Sequence, residues 1–207
     1  MPDFTDYSFA RYGIDVSRET REKFNHYAAL LLKWQKAINL VSDTTLEELA
    51  ERHFLDSAQL LKFIPNKEIT LADMGSGAGF PGMVLAMLGV KNVHLIESDM
   101  RKATFLREVS RETKTPVTIH DDRVEETTIP GLDFVTARAL APLRELLTLG
   151  NSLSAPKHPV TYLFLKGEKT DEELEKAKKR WNFTVELHQS VTDKSGKILI
   201  INSLEQK

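Results

Sequence analysis

LADMGSGAGFPG, residues Leu71 to Gly82, places an aspartate and then four glycines, Gly75, Gly77, Gly79 and Gly82, behind a short apolar run. Glycine lets a backbone turn sharply after a strand and come close to a ligand. The stretch parses in two ways. Gly77 to Gly82, GAGFPG, fits the G-x-G-x-x-G of a dinucleotide-binding turn. Asp73 to Gly79, DMGSGAG, fits the D-x-G-x-G-x-G of an S-adenosylmethionine (SAM) site. Redox chemistry and methyl transfer are both open at this point, and the rest of the chain must choose.

Outward from the glycines the pattern is regular. EITLADM reads as a strand, PGMVLAML as a helix with Pro81 in its first turn, NVHLIE as a strand and MRKATFLREVSRET as a helix. PVTIH and DFVTA are strands, PLRELLTLG a helix closed by Gly150, VTYLFLK a strand and DEELEKAKKRW a helix. Strands alternating with helices imply βαβ units and a parallel sheet. FTVELHQSV and GKILIIN then follow with only TDKSG between them, which is too short for a helix. They read as a hairpin, so one strand runs antiparallel to the others. A seven-stranded, mostly parallel sheet closed by a hairpin is the α/β architecture of SAM-dependent (class I, Rossmann-like) methyltransferase domains. A dehydrogenase would continue its parallel winding and then need a substrate domain.

Before this domain, Phe24, Tyr27, Ala28, Leu31, Leu32 and Trp34 fall at helical spacing, and TTLE offers Thr44 and Glu47 as a capping box for a second helix that runs to Pro65. The division is a helical appendage at 1–65 and a ligand-binding domain at 66–207. Phe54, Leu55 and Trp34 read as packing. His53 and Asp56 read as docking the appendage onto the domain, because no second histidine or acid cluster stands at metal-ligand spacing.

Glu97 ends a strand 20 residues past Gly77, where an acid can accept hydrogen bonds from a ribose. NAD and SAM both carry one. Asp73 ahead of the glycines, DDRVEE after the third strand and the closing hairpin favour SAM. Arg138 and Lys166 end apolar strands, on the face where open α/β sheets bind ligands, and suit phosphate or guanine O6 contacts. Arg101, Lys102 and Arg123 are further candidate RNA contacts.

Composition bounds the function. The chain has 207 residues, 28 basic against 30 acidic side chains and no cysteine. Disulfides, thiolate metal sites and cysteine nucleophiles are excluded. The slight negative charge weighs against a nucleic-acid partner unless local basic clusters supply a face. No apolar run approaches membrane-spanning length, and the acidic MPDFTDYSFA is not a signal peptide, so the expected location is cytoplasmic.

WQKAINLVS, RHFLDS, ADMGSGAGFPG, DDRVEE, ARALAP and LKG, in that order, resemble the bacterial 16S rRNA guanine-N7 methyltransferase family, RsmG or GidB, over nearly the whole chain. Gln35 stands where that family more often has Asn, and Arg101-Lys102 reverses its usual Lys-Arg order. The resemblance implies SAM contacts at Gly75, Phe80, Val124, Glu125 and Arg138, alongside Gly77, Gly79, Asp73 and Glu97. It implies that Arg123, Arg138 and Lys166 line the methyl-transfer site. Its substrate would be one guanine, the equivalent of guanine 527, in the 530 loop of 16S rRNA, within a small-subunit particle and acted on by a monomer. The residues agree with that chemistry. Methylation at C5 of a pyrimidine generally needs a cysteine, and exocyclic amines usually call for N-P-P-[FYW] after the fourth strand, where ARALAP stands here. A small-molecule SAM-dependent methyltransferase and a non-catalytic NAD-binding sensor are the alternatives.

Overall fold

The computed structural model describes residue 4, residues 9–154 and residues 158–207. Its centre is a seven-stranded sheet of β1 (Thr70–Met74), β2 (Asn92–Ile96), β3 (Thr118–His120), β4 (Phe134–Arg138), β5 (Thr161–Lys166), β6 (Trp181–Gln189) and β7 (Lys197–Gln206), in the order β3-β2-β1-β4-β5-β7-β6. β1 pairs in parallel with β2 on one side and β4 on the other, so Asp73 lies opposite Leu95 and Thr136. The winding reverses at β1, which opens a crevice beyond the carboxyl ends of β1 and β4. β7 runs antiparallel to both neighbours, and toward β6 the short TDKSG connection requires it. This places the β6–β7 turn at the same end of the sheet as that crevice.

Period-two alternation divides the apolar residues between the two faces of the sheet. Leu71, Leu95, Leu163 and Ile198 point to one core. Ala72, Ile96, Val135, Phe164 and Leu199 point to the other. The second core is covered by α5 (Leu143–Leu153) and α6 (Thr170–Lys178), whose Leu146, Leu147 and Leu174 are buried. The first is covered by α3 (Gly82–Met87), α4 (Met100–Glu112) and the N-terminal helices.

Those helices are α1 (Arg18–Gln35), capped by the Ser17 hydroxyl accepting from the Thr20 amide at 3.1 Å, and a helical run at 50–63 that we call α2. Within α2 the hydrogen-bond register changes from a π-type turn, Ala50–Leu55, through Asp56–Ala58 to a 3₁₀ turn, Gln59–Phe63. Phe24, Tyr27, Leu31 and Phe54 from this region share one apolar cluster with Phe80, Met83, Leu106 and Val109, so the packing is continuous across residue 65.

Two local expectations are corrected. The Thr44–Glu47 capping box does not form, and a short 3₁₀ turn at Asp43–Thr45 precedes α2 instead. The Thr44 hydroxyl bonds Ser42 Oγ at 2.8 Å, while Thr45 Oγ1 donates to the Ser42 carbonyl at 2.7 Å. These side chains serve the loop, not a helix end. Gly150 lies inside α5 and does not end it. A Cβ there would stand 2.6 Å from Tyr162 Cε1, so the glycine marks where α5 presses on β5.

Candidate active site

The C-terminal ends of β1, β2 and β4 open into a cavity of about 730 Å³. That lies within the roughly 300–1,000 Å³ typical of small-molecule and cofactor sites. Gly75, Gly77, Phe80, Glu97, Lys102, Arg123, Val124, Glu125 and Arg138 all line it, so most of the residues expected at the site converge. Four expected residues sit elsewhere.

Asp73 is fully buried and does not face the cavity. Its Oδ2 accepts from the Gly82 amide at 3.1 Å and its Oδ1 from the Thr136 hydroxyl at 2.8 Å. The carboxylate expected at a ligand instead ties the start of α3 to β4. Burial pushes this carboxyl up to about 6, against the hydrogen bonds from Thr136 and Gly82. Gly79 lies behind the loop, against Tyr27, Leu106 and Met83. Arg101 is exposed and bonds Asp99. Lys166 lines a smaller adjoining cavity, where its ammonium sits 2.7 Å from Glu173 and donates to the Ala141 carbonyl at 3.0 Å. Glu173 also accepts from the Leu143 amide at 2.8 Å. Lys166 therefore fastens the segment between β4 and α5.

Glu97 braces the glycine turn. Its Oε2 accepts from the Gly77 amide and its Oε1 from the Asp99 amide, each at 2.8 Å. Each carboxylate oxygen keeps a second lone pair for a ligand hydroxyl. Tyr27 donates to the Ala78 carbonyl and stacks on Phe80, with ring centroids 5.3 Å apart and 14° between planes. Phe80 in turn carries the Arg138 guanidinium 5.1 Å from its centroid, a cation–π contact.

Arg138 is the hub. It donates to the Arg52 carbonyl at 2.9 Å and to His53 Nδ1 at 2.7 Å, and it approaches Asp56 Oδ2 at 3.4 Å. His53 Nε2 lies 2.8 Å from Thr45 Oγ1. Burial, and then the charges of Arg138 and Arg52, lower the His53 pKa to about 3, so the ring is neutral. Asp56 Oδ1 accepts from Gln59 at 2.8 Å and from Thr192 at 2.6 Å. The docking role expected of His53 and Asp56 is thus what their contacts perform: they join α2 to the end of β4 and to the β6–β7 turn.

Sequence reasoning missed one wall. Leu40, Val41, Ser42 and Thr45 line the cavity from the loop after α1, and Thr192 and Asp193 line it from the β6–β7 turn. Gln35 holds the loop. Its Oε1 accepts from the Leu40 and Val41 amides at 3.0 and 3.1 Å, and its Nε2 donates to the Val41 carbonyl at 2.9 Å. The signal was WQKAINLVS, whose polar residues between Trp34 and Val41 serve the loop and not a helix face.

The site fits SAM on its own geometry. Gly77 has φ +58°, and a Cβ built on it would meet nothing nearer than the Gly75 carbonyl at 3.8 Å, so the backbone is bare toward the cavity. An acid at the end of β2 and a polar segment after β3 complete a nucleoside cradle. Among the described residues no cluster of three or more histidines, cysteines or acids is placed to hold a metal.

The family model for rRNA small subunit methyltransferase G matches residues 20–202. The chain belongs to this family. A relative in Rhodospirillum centenum, named ribosomal RNA small subunit methyltransferase G, is 50% identical over 91% of this chain and 87% of its own length. Among solved structures, a ribosomal protein L11 methylase from Lactobacillus delbrueckii subsp. bulgaricus shares the fold with a TM-score of 0.59 at 16% identity, over 75% of this chain and 79% of that one. A SAM-dependent methyltransferase from Aquifex aeolicus does so at 0.57 and 16% identity, over 78% and 98%. Membership makes the chain an rRNA methyltransferase on a class I fold, with SAM as its cofactor. No described helix is long and apolar enough to cross a membrane.

Proposed function

We propose that this chain methylates N7 of a single guanine in 16S rRNA, the equivalent of guanine 527 in the 530 loop, acting as a cytoplasmic monomer on a small-subunit particle. The observation that carries this reading is the commitment of His53. Among the described residues it is the one imidazole lining the cavity, and both its nitrogens are already engaged. The cavity is therefore not arranged around a histidine general base. Guanine N7 offers a free lone pair on the major-groove edge and loses no proton on methylation, so none is needed. The absence of cysteine excludes the covalent route to C5 of a pyrimidine.

Gly75, Gly77, Phe80, Glu97, Val124, Glu125 and Arg138 would hold SAM, which supplies a sulfonium-bound methyl group. Asp73 and Gly79 would support that cradle from behind. Arg123 and Lys102 line the cavity with no charge partner among the described residues, which suits them to RNA phosphates. Arg101, at the start of α4, would extend this strip. Arg138, fixed by its partners on α2, would orient the site, and Lys166 would hold the loop after β4. Positioning of the lone pair against the methyl group supplies much of the rate.

The test is the position of the mark. Small-subunit rRNA from a strain deleted for this gene should lack one 7-methylguanine that the plasmid-borne gene restores. An unchanged 7-methylguanine map would end the reading. Turnover on small molecules, with none on rRNA, would favour the small-molecule alternative.

A further inference from the structure

Leu140 is one of three large apolar side chains standing exposed among the described residues, at 39% of its surface, and it lines the cavity. Exposure of a single leucine needs no explanation. What does need one is how firmly this leucine is held. It follows Ala139, whose φ of +54° is a left-handed conformation that non-glycine residues rarely adopt. Such strain persists only where the surroundings impose it, and it gathers at functional sites.

The surroundings impose it from both ends. On one side Arg138 is fixed by Arg52, His53 and Asp56. On the other, the Ala141 carbonyl accepts from Lys166, and the Leu143 amide donates to Glu173. Underneath, the isobutyl group rests on the glycine turn. A Cβ on Gly75 would stand 2.5 Å from Leu140 Cδ1 and 3.1 Å from Cδ2, so this seat exists only because residue 75 has no side chain.

The geometry points to Leu140 as the platform that receives the target base. Resting on the proposed function, the inference assigns to this residue the apolar contact with the extruded guanine ring, beside the cofactor turn and next to Arg138. Enzymes that modify a base take it out of its stack and hold it against aromatic or apolar side chains. Among the described residues no aromatic ring in the cavity is free for that, because Phe80 is only 3% exposed and already stacked on Tyr27. Leu140 is the exposed apolar surface the cavity offers. Lys166 and Glu173 are then positioning residues that keep the platform in place.

The experiment compares wild type, Leu140→Ser and Leu140→Met, with small-subunit particles from the deletion strain as substrate. It measures KM and kcat for RNA methylation, SAM affinity by calorimetry, and the position of the product. Leu140→Ser should lower kcat/KM for the particle about tenfold or more, leave SAM affinity within about threefold and unfold normally, since the side chain is not core. Leu140→Met should recover most of the loss. Leu140→Ser with wild-type kcat/KM would overturn the proposal, as would a parallel loss of SAM affinity, which would make Leu140 part of the donor cradle. If wild type methylates rRNA at another atom, the N7 reading falls, and the Leu140 comparison is made at the base actually modified.

Discussion

Arg138 donates from Nη2 to His53 Nδ1 across 2.7 Å. A guanidinium has no acceptor, so Nδ1 carries the lone pair and Nε2 the proton. Nε2–H then donates to Thr45 Oγ1, whose own hydroxyl proton goes to the Ser42 carbonyl. The hydrogen bonds run in one direction from β4 to the cavity wall.

This gives the first prediction. Nitrogen-detected NMR at pH 7 should show His53 as the Nε2–H tautomer. Its folded pKa of about 3 lies below the unfolded value of about 6.5. The neutral ring therefore contributes stability that is fully present above about pH 6.5 and is lost as pH falls toward 3, at up to ~1.4 kcal/mol per pH unit. Gln can accept from Arg138 and donate to Thr45 without titrating. Urea unfolding of His53→Gln should accordingly show a flatter acid limb than wild type. Equal limbs, or an Nδ1–H tautomer, would refute the assignment.

The second prediction separates two glycines of one turn. Alanine at Gly77 meets only the Gly75 carbonyl, at an ordinary 3.8 Å, so the φ of +58° should cost the fold only about 1 kcal/mol. Gly77 lines the cavity, so the added methyl group should weaken SAM binding tenfold or more. Alanine at Gly79 would press on the Tyr27 hydroxyl, Leu106 and Met83, and should destabilise the fold by several kcal/mol. Calorimetry with thermal unfolding reads both. A Gly77→Ala protein with wild-type SAM affinity would displace the cofactor from this turn.

Asp73 supplies the third. Its folded pKa of about 6 lies above the unfolded value of about 3.9. Its contribution is therefore fully present below about pH 4 and lost as pH rises through 6, by up to roughly 3 kcal/mol. Asn can accept from the Gly82 amide and donate to the Thr136 hydroxyl. Asp73→Asn should hence gain on wild type as pH rises from 4 to 7, with SAM affinity within a few-fold. A large loss of SAM affinity would restore the carboxylate to the ligand.

The fourth concerns the cations. Arg123→Ala should weaken RNA binding and lower the slope of log K against log salt by roughly 0.7–0.9, the loss of one phosphate contact. Lys166→Ala should leave that slope alone and instead destabilise the fold by about 1–3 kcal/mol, because Glu173 would lose its partly buried partner. A reduced slope in Lys166→Ala would make it an RNA contact.

The sheet was legible because its signals are local. TDKSG is too short to cross over, and the glycines sit where β1 must turn. Glu97 and Arg138 were legible as strand ends. Asp73 and Lys166 were expected at the ligand and lie off the main cavity, because a charge near a cofactor motif looks the same whether it faces the ligand or a neighbouring element. Only the tertiary partners, Gly82 with Thr136 and Glu173 with Ala141, decide between the two. The wall at Leu40 to Thr45 was hidden for the same reason. It is brought to the site by His53, which Arg138 grips from 85 residues away.

The reversed strand β7 has a consequence for how the protein is made. Asp56 and Gln59 find their partners at Ser190, Val191 and Thr192, 131 to 136 residues later. During synthesis α2 must therefore wait, with these polar groups bonded to water, until the last hairpin leaves the ribosome. Contacts so distant in sequence form slowly. The wall they close would be among the last parts of the molecule to assemble, and a chain truncated before residue 190 would carry the glycine turn without a finished site.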